Sequence, residues 1–183
     1  MDDGYSIRLA LPEDTAFLPS IEMQAGALFE DYFEETGLTA EAVGRVTSGD
    51  DFDAAQRMGR LWVAVSPGGD RVGFALVLDV GGAAHLEELD VLPEHGRRGL
   101  GSRLLEAVCE WAHEAGYSRV TLSTFRDVPW NAPFYVRRGF RIVDPGDLSE
   151  QHVQLVRAEK ARGLRIDLRV IMERRTSAGG GLS

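Results

Sequence analysis

The chain has 183 residues, 44% of them hydrophobic and 27% charged, which is typical of one soluble globular domain with a substantial core. Its formal charge of −9 excludes a general nucleic-acid binder, because phosphate contacts need a basic face. The one cysteine, Cys109, excludes a disulfide framework and a cysteine-rich zinc site, and no apolar run approaches the roughly 20 residues of a membrane span. Because Met1-Asp2-Asp3 begins no signal peptide, we expect a cytoplasmic location. From the other features we expect a protein that holds no metal and binds neither nucleic acid nor membrane.

The N-terminal segment predicts one strand and two helices. Residues 5–11 alternate as a strand does, and Pro12 with two acidic residues after it is typical of a first helical turn. Gly37 should break this helix, and a second, shorter helix is expected over residues 39–46 with Thr39 as its N-cap. The side chains of the first helix expected to face inward are Phe17, Leu18, Ile21 and Leu28.

The middle of the chain predicts an antiparallel meander. Residues 61–65 and 71–78 read as two strands joined by a turn at residues 66–70. A third strand over residues 84–92 should pair with the second across Gly81 and Gly82.

The C-terminal half alternates helices with strands. Apolar residues spaced three and four apart predict a helix from Leu100 to a C-cap at Gly116, and the strand at 119–124 implies local parallel pairing and hence a mixed sheet. Asn131 can cap a short helix that Gly139 ends. A strand beginning at 140–143, a helix at 148–162 and a strand at 168–172 complete one domain over residues 1–175, and residues 176–183 are expected to be a disordered tail.

A glycine-containing turn before the long helix is the strongest functional signal. Arg97-Arg98-Gly99-Leu100-Gly101-Ser102 places two glycines where a ligand can approach the main chain closely. The first N–H groups of a helix have no internal partners and carry the positive end of its dipole, so an anion fits there. A diphosphate is the expected guest, with Arg97 or Arg98 adding charge-assisted hydrogen bonds.

Two motifs in this order resemble the GCN5-related N-acetyltransferase (GNAT) family. Val91-Leu92-Pro93 and then Gly96-Arg97-Arg98-Gly99-Leu100-Gly101 match its Val-x-Pro and (Gln/Arg)xxGx(Gly/Ala) signature, except that Gly96 stands where Gln or Arg is usual. The later block 130–140 has a tyrosine, Tyr135, four residues before Gly139-Phe140. The resemblance covers residues 7–175 and implies an α/β (α+β) fold, a single domain with a mixed, mostly antiparallel central sheet flanked by helices.

The resemblance also implies acetyl-CoA as cosubstrate. Main-chain groups of Leu89 and Val91 would pair with the pantetheine amides like an added strand, and one N–H can polarise the thioester carbonyl. The residues assigned to the cofactor are Leu89, Asp90, Val91, Arg97, Arg98, Gly99, Leu100, Gly101, Ser102 and Asn131.

Catalysis requires a base, because alkyl amines have a pKa near ~10 and are mostly protonated at neutral pH. Within the resemblance, Glu87 matches the acidic position of polyamine acetyltransferases and His85 the base position of the histone enzymes. We favour Glu87, with His85, Glu88 or water as alternatives, and each side chain could instead be an exposed strand residue or an ion-pair member. A bulge in this strand would change which face each one occupies.

The departing thiolate needs an acid, for which Tyr135 is the best candidate, because a phenol held near the sulfur can protonate it. Without the motif, Tyr135 would read as an aromatic packed under a helix. A covalent route through Cys109 is weaker, because its position in the helix predicts a buried thiol.

The expected reaction is direct attack on acetyl-CoA by the primary amine of a small, cationic acceptor, in a monomer or homodimer. The resemblance places the first two helices on the acceptor side, although their acidic end could simply be solvated. One alternative is a catalytically inactive CoA-binding sensor or interaction module of the same fold. Another, a dinucleotide oxidoreductase, fits poorly because the third glycine and the later acidic ribose ligand are missing. The side chains that could contact the amine are Tyr32, Phe33, Glu34 and Glu35.

Overall fold

The strands of the computed structural model form one mixed sheet, which confirms the predicted fold class. The structure describes residues 4–176, so the predicted tail lies outside the described residues apart from Thr176. The strands are β1 (Ser6–Leu9), β2 (Leu61–Val65), β3 (Arg71–Val80), β4 (Ala83–Val91), β5 (Arg119–Phe125), β6 (Arg141–Ile142) and β7 (Arg169–Arg175). Their order in the sheet is β1-β2-β3-β4-β5-β7-β6.

Helices connect these strands, and the longest is the one predicted after the glycine turn. Gly116, with a φ of +85°, follows this helix in the left-handed conformation expected of a C-cap glycine. The α-helices in the described part of the chain are α1 (Leu18–Gly26), α2 (Phe33–Thr36), α3 (Ala40–Val43), α4 (Gly49–Arg57), α5 (Leu100–Glu114), α6 (Ala132–Val136) and α7 (Glu150–Ala161).

The first predicted helix is in fact several short elements. Residues Pro12–Phe17 and Ala27–Tyr32 are 3-10 helices on either side of α1, and Gly37, at a φ of +65°, ends α2 as expected. Leu18 and Ile21 are buried as predicted, but Phe17 is 51% and Leu28 43% exposed, so their inward placement was wrong. The 3.6-residue period that placed all four holds only within α1, because a 3-10 helix turns every three residues.

Residues 39–58 also differ from prediction. Helix α3 is shorter than the predicted span of 39–46, and α4 was not predicted at all. The Ser48 side chain caps α4 by accepting a hydrogen bond from the Asp51 N–H, and Phe52 and Ala55 are buried. Ser48 three residues before Asp51, followed by apolar residues at helical spacing, was the signal available in the sequence.

Backbone contacts group the chain into two compact units. The first unit comprises the described residues of Met1–Asp31, Ala40–Leu78 and Leu86–Val108, and the second those of Tyr32–Thr39, Asp79–His85 and Cys109–Ser183. Phe52 and Phe74 pack edge to face in the core of the first unit, with ring centroids 5.2 Å apart. That core contains Ala10, Leu18, Ile21, Phe52, Ala55, Leu61, Val63, Phe74 and Leu76.

The hairpins of the meander have the expected turns. In the first, the Ser66 N–H donates to the Asp70 carbonyl across the predicted turn, and β2 pairs antiparallel with β3 with a register shift between Ala64 and Val65. In the second, Gly81 and Gly82 both have positive φ, at +60° and +74°. This conformation favours glycine, which explains the glycine pair.

The position of β7 in the sheet is the main feature that the chain order did not reveal. In the second unit β7 lies between β5 and β6 and pairs antiparallel with both. Its register with β5 runs from Arg119 opposite Arg175 to Phe125 opposite Arg169. Such pairing between distant segments has no local sequence signal.

A buried aspartate ties the start of the first unit together. Asp14 accepts hydrogen bonds from Arg8 at 2.5 Å, from Arg71 at 2.6 Å and from the Leu11 N–H at 2.7 Å. Burial raises the pKa of this carboxyl, but the hydrogen bonds from Arg8, Leu11 and Arg71 outweigh burial and lower the pKa to about 2. The ionised form of Asp14 therefore stabilises the fold.

We expect Asp14→Asn to lower the free energy of unfolding by about 3 kcal/mol at pH 7, because it leaves two arginines without their shared carboxylate. The contribution of Asp14 is present above the ordinary aspartate pKa of about 4 and is lost as pH falls through about 2. Urea unfolding at pH 7 and pH 2 measures this, with the exposed Asp31→Asn as the matched control. A difference of the same size at both pH values would contradict the role of the charge.

Candidate functional site

The turn before α5 combines residues of negative and positive φ. The φ of Gly96 is −63°, that of Arg97 is +58°, and that of Gly99 is +77°. A positive φ is uncommon for arginine, and strain of this kind concentrates at ligand sites. Gly96 is extended, with a ψ of 164°, and its N–H donates to the Pro93 carbonyl at 3.0 Å. The turn is exposed and leads into the start of α5, where the first N–H groups of the helix can bind an anion.

Helix α5 continues this arrangement. Its first internal hydrogen bond runs from the Arg103 N–H to the Gly99 carbonyl at 3.0 Å, so the N–H groups of Leu100 and Gly101 precede the helical ladder. Fifteen residues of helix follow, with the positive end of the dipole at the turn. The predicted diphosphate residues thus lie together at one helix terminus.

Tyr5 supports the turn, a role that the sequence did not indicate. Its hydroxyl lies 2.8 Å from His95 Nδ1, and its carbonyl accepts a hydrogen bond from Arg103 at 2.6 Å. The Arg98 guanidinium lies over the Tyr5 ring, 5.8 Å from its centroid. This contact keeps the positive charge of Arg98 beside the turn.

Strand β4 carries most of the other predicted residues. Its first four residues are buried, whereas every position from Glu87 to Val91 is half-buried, without the alternation of a regular strand. Neighbouring β3 comes so close here that a Cβ on Gly73 would lie 2.7 Å from the Asp90 carbonyl oxygen. The half-buried end of β4, in the first unit, thus comprises Glu87, Glu88, Leu89, Asp90 and Val91.

His85 is placed differently from the glutamates that follow it. It belongs to the second unit and is only 1% exposed, and its Nδ1 lies 2.9 Å from Thr121 Oγ1. Thr121 Oγ1 also lies 3.0 Å from His152 Nε2. Burial, followed by the charges of His152 and Arg169, lowers the pKa of His85 to about 3. His85 is therefore a neutral, buried imidazole at neutral pH.

A group of three carboxylates, Glu22, Glu87 and Asp90, was not recognised in the sequence. Burial raises the pKa of Glu22, hydrogen bonds from Thr47 lower it, and the Glu87 charge raises it further, for a net increase. Burial raises the pKa of Asp90 to about 8, and the charge of Glu22 adds to this effect. Glu22 thus lies within electrostatic range of both β4 side chains.

Tyr135 and Asn131 lie in the second unit, around α6. Tyr135 is 8% exposed, and its ring contacts those of Phe134 and Phe140 at centroid distances of 5.1 and 5.7 Å. Asn131 occupies the predicted N-cap position, but its side chain does not cap the helix. Its Oδ1 instead accepts hydrogen bonds from Thr124 Oγ1 and the Phe125 N–H at the end of β5. Asn131 therefore fixes the loop before α6, and its Nδ2 is the group that could contact a cofactor.

The residues predicted to contact the acceptor amine differ in how deeply they are buried. Tyr32 is half-buried and packs edge to face on Trp130, with ring centroids 4.8 Å apart, and Phe33 is also half-buried. Glu34 and Glu35 are exposed. Tyr32 is therefore held by packing, whereas the two carboxylates are solvated.

The structure also bears on Cys109, on metal binding and on membrane-spanning helices. Cys109 is buried on α5, as predicted. Residues 4–176 contain no group of three or more His, Cys, Asp or Glu side chains arranged to hold a metal ion. Among the helices of the described residues, none has the length and apolar character needed to cross a membrane.

A comparison with known families and structures gives one consistent result. The model of the acetyltransferase (GNAT) family matches residues 26–140. Similar solved structures include N-acetylglutamate synthase from Neisseria gonorrhoeae complexed with coenzyme A and N-acetyl-glutamate, at 20% identity and a TM-score of 0.68 over 95% of this chain. This chain spans 35% of the length of that protein.

Two further structures are similar along nearly their whole length. The paiA N-acetyltransferase from Thermoplasma acidophilum, in complex with coenzyme A, has 18% identity and a TM-score of 0.61, covering 93% of this chain and 98% of its own. The ribosomal-protein-S18-alanine N-acetyltransferase from Escherichia coli has 20% identity and a TM-score of 0.64, covering 98% and 99%. At these identities the similarity establishes the fold.

We expect Gly101→Val to raise the dissociation constant of CoA at least tenfold, or about 1.4 kcal/mol, because the added side chain blocks approach to the N–H groups of the turn. Gly101 is preferable to Gly99, whose positive φ would strain any replacement. Isothermal titration calorimetry measures the constant. Gly49→Val, at the start of α4 where a Cβ meets nothing within 4 Å, is the matched control. Unchanged affinity in folded Gly101→Val would refute the phosphate assignment.

Proposed function

Given that the chain belongs to the acetyltransferase (GNAT) family and is an acetyl-CoA-dependent N-acetyltransferase, we propose that its acceptor is a small, cationic primary amine that attacks the thioester directly. The observation that carries the choice of acceptor is the carboxylate cluster in which Glu22 interacts with Glu87 and Asp90. The turn at residues 96–99 and the start of α5 support the cosubstrate. The first N–H groups of the helix suit the diphosphate of CoA, and Arg98 adds charge beside them.

The other cofactor contacts follow from β4. We assign the main-chain groups of Leu89, Asp90 and Val91 to the pantetheine amides, and their half-buried positions support this. Arg97, Arg98, Gly99, Leu100, Gly101 and Ser102 are assigned to the diphosphate, and Asn131 Nδ2 is a further contact. When bound, acetyl-CoA supplies the activated acyl group.

In the proposed step, Glu87 accepts a proton from the ammonium of the acceptor. The amine nitrogen then attacks the thioester carbonyl carbon, the new C–N bond forms, and the C–S bond breaks with its electron pair on sulfur. The nitrogen gives up its second proton to water, so that a neutral amide leaves. Half-burial and the nearby Glu22 carboxylate support Glu87 as the base. His85 is less suited, because it is buried and its Nδ1 is engaged with Thr121. Glu88, also half-buried, and water remain the alternatives.

Tyr135 is the proposed acid that protonates the leaving thiolate. The support is its match to the later family motif and its ring contacts with Phe134 and Phe140, which hold the phenol in one orientation. A fixed donor costs no reorganisation during the reaction, which is the advantage of a buried acid over solvent.

The cationic character of the acceptor is supported by charge. The chain has a net charge of −9, and Glu22 in the first unit lies within electrostatic range of both Glu87 and Asp90. Such a potential favours cations over anions. The molecules named for the similar proteins, N-acetyl-glutamate in one and the alanine of ribosomal protein S18 in another, differ and do not decide the acceptor of this chain. One domain over residues 1–175, a cytoplasmic location and a monomeric or homodimeric state stay predictions.

Tyr135→Phe should lower kcat by roughly 100-fold while leaving the affinity for CoA almost unchanged, because it retains the ring and removes only the acidic proton. The measurement is thiol release from acetyl-CoA with an amine that supports turnover, in the range where chemistry limits the rate. Phe134→Leu is a packing control that alters the contacted ring without removing an acid. Full kcat in Tyr135→Phe would show that Tyr135 only packs.

Glu87→Gln should lower kcat/KM by roughly 100-fold near pH 7 and recover in part at high pH, where the free amine is abundant without a base. Rates from pH 6 to 10 measure this, with Glu88→Gln as the matched neighbour. A wild-type profile in Glu87→Gln would transfer the role to Glu88, His85 or water.

A further inference from the structure

Asp90 has a feature that its assignment to the cofactor does not explain. The residue is half-buried, but its Oδ2 atom is buried and has no hydrogen-bond partner among residues 4–176. A buried acceptor without a donor is costly and uncommon in proteins, so this atom calls for an explanation. The contacts assigned to the pantetheine arm use main-chain atoms of β4 and leave this carboxyl unused.

The neighbours of Asp90 give the site its charge. Glu22, on α1, is held in place because its Oε2 accepts a hydrogen bond from the Thr47 N–H at 2.9 Å and its Oε1 one from Thr47 Oγ1 at 3.3 Å. The charged groups that act on this pair are carboxylates: Glu22 on Asp90, and Glu87 on Glu22. A buried acceptor atom among like charges is a receptor for a positively charged hydrogen-bond donor.

We propose that Glu22 and Asp90 form a cation subsite that receives an ammonium or guanidinium group of the acceptor, with one N–H donating to Asp90 Oδ2. The inference rests on the proposed function and extends it by naming the residues that select the acceptor. An organic cation is the expected occupant, because the carboxylates of the described chain form no group arranged for a metal ion.

Binding at this subsite is coupled to a proton. The pKa of Asp90 is about 8, so at pH 7 most molecules carry a proton on this carboxyl. A cation binds the ionised form more tightly, so it must displace that proton, and its affinity should increase as pH rises through about 8. Removing the Glu22 charge should lower the pKa of Asp90 and move this midpoint to lower pH.

The test uses methylguanidinium chloride, whose charge is constant over the pH range, and needs no catalytic turnover. Methyl NMR signals of Leu89 and Val91, which flank Asp90, report its binding to the full chain at fixed ionic strength. We expect the dissociation constant to be at least tenfold lower at pH 9 than at pH 6, because ionised Asp90 changes from a minor to the main form. N-methylurea, the neutral analogue, should show no such dependence.

Variants distinguish binding at this subsite from attraction of the cation by the overall charge of the chain. Asp90→Asn should weaken binding at pH 9 at least tenfold and remove the pH dependence, and Glu22→Gln should shift the midpoint downward. Glu110→Gln, an exposed carboxylate on α5, should behave as the wild type. Binding that is independent of pH, or a pH dependence retained in folded Asp90→Asn, would overturn the proposal. Binding as expected in a chain that turns over no amine would uphold the subsite and refute the proposed acceptor reaction.

Discussion

The backbone conformation of the turn before α5 is the constraint on which binding of the diphosphate depends. The turn holds an arginine at a φ of +58° and a glycine at +77°, conformations that cost free energy unless the surroundings fix them. Tyr5 provides part of this support through His95, Arg98 and Arg103. The donors are therefore in place before a ligand arrives, and the side-chain difference at Gly96 leaves this main-chain arrangement intact.

Two buried aspartates show how partners, rather than burial alone, determine charge. Asp14 is surrounded by donors, which lower its pKa to about 2, so it stabilises the fold above pH 4. Asp90 has a carboxylate neighbour and an unpartnered oxygen, and its pKa is raised to about 8. Its protonated form favours the fold at low pH, and that contribution is lost as pH rises through about 8. Asp14 therefore stabilises the fold, whereas Asp90 lowers stability at neutral pH, as functional groups often do.

The sequence predicted the strands, the long helix and the turn, because each has a local pattern. Leu100 to Gly116 has both helical periodicity and a C-cap glycine, and Gly81-Gly82 can adopt the positive φ of a tight hairpin. It did not predict β7 between β5 and β6, because that pairing joins residues about fifty apart in the chain. Phe17 and Leu28 were misplaced because 3-10 turns flank α1.

The candidate site, like the fold, could be predicted only in part from the sequence. The main-chain part of the site could be predicted from Gly99 and Gly101. The cluster of three carboxylates, Glu22, Glu87 and Asp90, could be recognised only in the structure. Glu22 lies in an ordinary amphipathic segment, and only folding brings it within range of Glu87 and Asp90.

The most direct measurement of the central claim is thiol release from acetyl-CoA with a panel of amines in which cationic, neutral and anionic acceptors are matched in size, with mass spectrometry of each product. The account predicts release of CoA together with an acceptor that has gained one acetyl group on nitrogen, fastest for the cationic members. Tight binding of CoA without thiol release for any amine would contradict it and indicate a CoA-binding module.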